Sequence, residues 1–125
     1  MKPLITQTFK IYSDNEIIHL LIHDGANLNY NEAKEMDAVT RIFGQNKKDL
    51  KLFDARGSFT METEAKQFFQ SPKVKIKMTA LAVLIGPNTR QPIIDLCSDM
   101  NSKKLPTRFF VNYDEAVKWL NAFKK

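Results

Sequence analysis

Apolar residues recur along this chain with two different periods, and the switches between them divide it into elements. Ile5, Phe9 and Ile11 share one side of a period-two pattern over residues 5–12, with Thr6, Thr8 and Lys10 opposite. That alternation predicts a strand. Ser13, Asp14 and Asn15 supply turn chemistry before a second β-rich run over 16–22, and the pair predicts an antiparallel hairpin. His23-Asp24-Gly25 ends it. From Asn29 the period lengthens: Ala33, Met36, Val39 and Phe43 form one stripe, as on a helix. Asn29 with Glu32 has the spacing of a capping box, and Gly44 is the expected left-handed stop.

Residues 50–55 predict a short buried strand. Thr60 is the expected cap of the next helix, whose inner stripe would be Met61, Ala65, Phe68 and Phe69, ended by Ser71-Pro72. The segment 73–78 alternates but follows a helix directly, so strand and helix both stay open there. The unbroken apolar run 80–85 predicts a central parallel strand covered on both faces. Gly86-Pro87-Asn88 closes it. Ile93, Leu96, Cys97 and Met100 predict a third helix with Pro92 in its first turn. A last strand, 107–111, leads to a helix in which Asn112 and Glu115 suggest a second capping box and Ala116, Trp119, Leu120 and Phe123 form the stripe.

The predicted order is β-β-α-β-α-β-α-β-α: an α/β fold with a mixed sheet of about five strands and helices packed on it. Strands alternating with helices require parallel pairing through right-handed crossovers, which leaves the first strand as the antiparallel member.

Composition narrows the class. At 125 residues the chain is sized for one domain, 1–125. Its 43% hydrophobic and 26% charged residues are ordinary for a folded protein. The single cysteine, Cys97, excludes an internal disulfide and points to a cytoplasmic setting. No leader-like apolar segment follows Met1, and no run reaches the ~18 apolar residues of a membrane span. The net charge of +5 comes from lysines scattered through the sequence, including Lys47, Lys48, Lys51, Lys73, Lys75, Lys77, Lys103, Lys104, Lys124 and Lys125. With no nucleic-acid-binding signature beside them, they read as solvated surface.

Three pieces of sequence carry a family resemblance: Leu52-Phe53-Asp54-Ala55, the run from Ala80 through Ile85, and Arg108-Phe109-Phe110-Val111 followed by Asp114-Glu115-Ala116-Val117-Lys118-Trp119-Leu120. With the element order, they resemble the SpoIIAA-like group of STAS domains (sulphate transporter and anti-sigma factor antagonist), in particular its small stand-alone bacterial members. The resemblance implies a SpoIIAA-like fold and a non-enzymatic regulatory module that binds a protein partner; a homodimer is a further expectation. Phosphorylatable members carry a D-S-x-G turn after the third strand. Here that turn reads Asp54-Ala55-Arg56-Gly57-Ser58-Phe59-Thr60, so the motif is absent and Ser58 and Thr60 are only regional candidates for phosphorylation.

Candidate sites follow from position. Asp54 and Arg56 would stand at the carboxyl edge of a parallel strand, where open α/β sheets bind ligands. Asn88 and Arg90 leave the neighbouring strand on the same edge. Loops 54–61 and 86–90 are therefore the expected partner- or anion-binding rim, made by Asp54, Arg56, Ser58, Thr60, Asn88 and Arg90; the plainer reading is that Asp54 ties down its own turn. Ser58 and Thr60, expected at a helix start, would suit a phosphate there. His19 and His23, four apart on a strand and hence ~13 Å apart, cannot share a metal, and they read as surface or half-buried residues. Cys97 reads as core. No nucleophile–base pair, glycine-rich phosphate loop or metal spacing occurs, so no enzyme, cofactor or metal is expected. An alternative is a small apolar or lipid-like ligand between sheet and helices, near aromatics such as Phe68, Phe69 and Phe109.

Overall fold

The computed structural model describes residues 2–124, so Met1 and Lys125 of the sequence reading lie outside the described residues. Strands β1 (Leu4–Ile5), β2 (Phe9–Asp14) and β3 (Ile17–Ile22) form an antiparallel meander. The expected single first strand is thus two. Thr6 Oγ1 accepts the N–H groups of Thr8 and Phe9 and reverses the chain. Ile5, expected beside Phe9 and Ile11, therefore pairs with Lys10 on the opposite face and is 63% exposed. The β2–β3 turn consists of Asn15 (φ 52°) and Glu16 (φ 67°) alone, the double left-handed geometry whose twist suits a two-residue hairpin.

After β4 (Asn27–Leu28) comes α1 (Tyr30–Phe43), with its capping box intact: Asn29 and Glu32 exchange both bonds. The helix does not stop on a left-handed glycine. Gly44 has φ −83°, and Gln45 (φ 56°) and Asn46 (φ 60°) make the left-handed turn instead. A Cβ on Gly44 would come within 3.3 Å of Asp49 Oδ2, so close approach rather than φ favours glycine there.

Strand β5 (Asp49–Asp54) is followed by β6 (Thr60–Met61), which pairs in parallel with β4 in a two-stranded sheet. Thr60 is thus a strand residue and not the expected cap. Helix α2 (Thr63–Gln70) starts at Glu62 without a side-chain cap bond, and Met61 is buried from β6. Segment 73–78 resolves both ways: α3 (Pro72–Lys75) is one helical turn, and Met78 opens β7 (Met78–Leu84). Helix α4 (Gln91–Met100), β8 (Thr107–Phe110) and α5 (Tyr113–Asn121) complete the chain. At α5 only the forward half of the expected box forms, Glu115 N–H to Asn112 Oδ1 at 3.0 Å.

Among the described residues the main sheet has six strands, in the order β1-β2-β3-β5-β7-β8, with β3, β5, β7 and β8 parallel. This is the expected mixed α/β sheet plus one edge strand. Its alternation sorts side chains to two cores. On one face Phe9, Ile11, Ile22, Phe53 and Val83 pack with Met36 of α1, Ala65 of α2, Val74 of α3 and Ile93, Leu96 and Cys97 of α4. On the other, Ile17, Leu50, Leu52, Ala80, Ala82, Leu84 and Phe110 pack with Ala116 and Leu120 of α5. Burying one side chain such as Phe59, 1% exposed, contributes about 1.5–3 kcal/mol. No helix among the described residues is long and apolar enough to cross a membrane.

Candidate functional site

Helix α5 packs over β5, β7 and β8. Over β1–β3 the same face carries no helix among the described residues, and there the sheet's alternation brings up a polar and aromatic set. Register places Lys10 beside Leu21 and Tyr12 beside His19, with Leu52 and Asp54 next on β5. Tyr113, the first residue of α5, closes the side. Together with Arg56 these residues line a cleft of about 200 Å³.

His19 is the floor. It is 4% exposed, not the surface or half-buried residue expected from sequence. Its ring stacks on Tyr12, centroids 4.5 Å apart and 13° from parallel. Nδ1 lies 3.1 Å from the Ile17 carbonyl and Nε2 lies 2.9 Å from the Tyr113 hydroxyl. A carbonyl only accepts, so the bond to Ile17 assigns the proton to Nδ1, and the Tyr113 O–H donates to Nε2. Burial pushes the His19 pKa below its ordinary value. Burial, with Asp14 and Asp114 nearby, raises that of Tyr113. Tyr12 is likewise raised, by burial first and then by neighbouring negative groups. Lys10 Nζ lies 5.2 Å from the Tyr12 ring centroid, within cation–π range.

At the cleft's upper edge Asp54 grips Arg56 in a fork: Nε to Oδ1 at 3.0 Å and Nη2 to Oδ2 at 2.8 Å. The same Oδ1 accepts the Arg56 backbone N–H at 3.2 Å, so Asp54 does tie down its own turn. These bonds raise the Arg56 pKa further. The second loop is joined to the first by Thr89, which no local pattern marks out. Thr89 Oγ1 donates to the Ala55 carbonyl (2.6 Å) and accepts the Gly86 N–H (3.0 Å). Gly86 lies against the Arg56 side chain; a Cβ there would stand 3.5 Å from Arg56 Cγ. Asn88 and Arg90 are exposed just beyond, Arg90 at the N-cap of α4.

Ser58 and Thr60 do not join this rim. The Ser58 backbone is tied to the β3–β4 loop, its N–H to Asp24 Oδ1 (2.7 Å) and its carbonyl to the Gly25 N–H (2.7 Å). Thr60 Oγ1 donates to Asn27 Oδ1, and Asn27 in turn bonds Glu62. Neither hydroxyl lies at a helix start, since α2 begins at Thr63 with Glu62 as its N-cap, so no helix dipole favours a phosphate on either. Lys10, Tyr12, His19 and Tyr113 went unselected because they spread from position 10 to position 113 and meet only through sheet register and the packing of α5.

Cys97 is buried at 1% exposure, and burial pushes its thiol up to about 12. Between the sheet and α1–α4 the enclosed space is about 50 Å³. An apolar cavity that admits benzene measures about 150 Å³, so this core has no room for a lipid-like ligand.

The strand order, two-faced packing and closing strand–helix unit define a SpoIIAA-like α/β fold. The same fold occurs in an uncharacterized protein of the DUF3478 family from Shewanella loihica PV-4, which superimposes with a TM-score of 0.65 over 90% of this chain and 91% of that one, at 11% identity. Residues 11–124 match the family described as a domain of unknown function, DUF7793, and the chain belongs to that family. No curated protein matches the sequence.

Proposed function

We propose that this chain is a non-enzymatic STAS-type interaction module of the cytoplasm that binds a protein partner through the half of the sheet face beside α5 and the adjoining rim. The carrying observation is the uncovered face itself, where Tyr12 and Tyr113 stand beside Lys10, Arg56 and the exposed Ile5. Tyr and Arg in a water-excluding setting are the side chains that dominate protein interfaces. Asp54 and Thr89 hold Arg56 and the second loop in place, so little ordering is needed on binding. Asn88 and Arg90 extend the surface along the rim.

Opposed titration supports a non-catalytic reading. A general base must gain a proton and its phenol must lose one, yet the surroundings push His19 down and Tyr113 up. The pair is set to stay neutral and rigid.

The test is affinity capture from cells with the full chain, against Tyr12→Ala and the double variant Arg56→Ala with Arg90→Ala. The reading expects a protein retained by the parent and lost at least tenfold from both variants. Equal recovery by all three would overturn it.

A further inference from the structure

At the opposite, amino-terminal edge of β5 and β7 lies a second cleft, of about 260 Å³. Sequence scatters its cations over α1, the following turn, β5 and the approach to β7. Folding gathers Arg41, Lys47, Lys48, Lys51 and Lys77 around it, against only Asp37 and Asp49. Asp37 is already engaged: its Oδ2 accepts from Arg41 Nη2 at 3.0 Å and Lys77 Nζ at 3.1 Å. A wider groove beside the cleft adds Lys104 and Lys124. Residues read singly as solvated surface thus make one basic edge.

The floor is what distinguishes this cleft from a basic patch. The Lys51 side chain is 8% exposed, because β5 alternation sends it to the same face as Phe53. Its Nζ stands 3.9 Å from Asp49 Oδ1, beyond hydrogen-bond reach. Asp49 Oδ1 and Arg41 Nε are buried without any hydrogen-bond partner. Buried polar atoms left this way cost stability unless a water or ligand completes them.

We infer that this cleft binds the phosphate group of a small phosphomonoester. Phosphate oxygens accept from Lys51 Nζ and Arg41 Nε, and one phosphate oxygen shares a proton with Asp49 Oδ1. That shared proton favours phosphate over a carboxylate ligand, because a phosphomonoester's second pKa of ~6 lets it carry a proton near neutrality. Lys47 and Lys48 add charge at the mouth. A nucleic acid backbone fits less well, since the key amine is buried at the floor of the cleft. Burial holds the Lys51 pKa down and the Asp49 pKa up; a phosphate anion between them favours the charged amine and the protonated carboxyl. The inference is independent of the partner-binding face.

The test is a ¹H–¹⁵N NMR titration of the full chain with phenyl phosphate and with inorganic phosphate, at ionic strength matched by chloride, with acetate as the competing anion. Expected are saturable shifts confined to the amides of Arg41, Lys47, Lys48, Asp49, Lys51 and Lys77. Affinity should fall about tenfold or more in Lys51→Met and in Arg41→Gln, a loss of about 1.4 kcal/mol, and stay unchanged in Arg56→Ala. Lys51→Met keeps the stem but leaves the buried Asp49 carboxylate without its neighbouring cation, a loss that destabilises the fold; Arg41→Gln, at a half-buried side chain, gives the second reading. Non-saturating shifts, shifts spread over all lysines, acetate binding as tightly as phosphate, or parent-like affinity in both variants would each overturn the inference.

Discussion

Among the described residues, four helices pack on one face of the sheet and a single helix on the other. Under α1–α4, the apolar side chains of five strands meet helix stripes on every side, and the remaining space is about 50 Å³. Under α5 the core is smaller and stops at β3. Beyond it the same sheet face presents a stacked Tyr12–His19 pair, Tyr113, Lys10 and a forked Asp54–Arg56 pair. His19 is hydrogen-bonded to Tyr113 and Asp54 to Arg56, so these four side chains are held in place although the face is uncovered. The contrast separates side chains that hold the fold from side chains the fold holds in place for something else.

Substitution on the two faces should therefore differ most sharply. Phe59→Ala, on the closed side, is expected to cost about 3–5 kcal/mol in urea unfolding. Tyr12→Ala should cost no more than about 1 kcal/mol, as expected for a half-buried residue whose ring stacks on one neighbour. Equal losses would erase the distinction.

Chemical access gives a second contrast. Cys97, with its thiol pushed up to about 12 in the closed core, should resist a thiol reagent in the native state at pH 8 and react fully in denaturant. Rapid native labelling would mean that the closed face opens.

His19 supplies a pH signature on the open side. Burial depresses its pKa below 6.5, so the folded state binds fewer protons than the unfolded state. Its contribution is complete above pH 6.5 and is lost as pH falls from there through the lower folded pKa. Relative to His19→Phe, which keeps the stacking ring, the parent should lose stability between pH 7.5 and 5.5. A constant difference between the two would show that His19 is not held neutral.

A smaller effect is expected at the hairpin joining β2 to β3. Glu16 sits at φ 67°, a conformation that costs a side-chain-bearing residue about 1–2 kcal/mol. Glu16→Gly should recover roughly 0.5–1 kcal/mol without altering the cleft, after allowing for glycine's greater freedom when unfolded. Thermal unfolding measures it.

The same division explains what could be read from sequence. Helix α4 was legible from Ile93, Leu96, Cys97 and Met100, and all four are buried. The Asn29–Glu32 box and the β7 run were equally plain, because each is a local periodic or capping signal. Strands β4 and β6 are two residues long, too short for any period to register. The β1–β2 split was hidden because period-two spacing runs straight through the Thr6 turn. For the candidate site, position alone pointed to Asp54, Arg56 and the rim loop, which the fold brings to one edge. It could not find His19, whose burial depends on Tyr113, 94 residues away. Nor could it find Thr89 or the basic edge, which exist only after register and crossovers are set.

The most direct test of the central claim is site-specific photo-crosslinking in cells. A photoreactive phenylalanine analogue replaces Tyr113 on the open face and, in a second protein, Glu35 on the exposed surface of α1. The account expects a defined crosslinked protein from position 113 that disappears with Arg56→Ala and Arg90→Ala, and none from position 35. The same crosslink from both positions, or none from 113 under conditions where the module is folded and expressed, would contradict it.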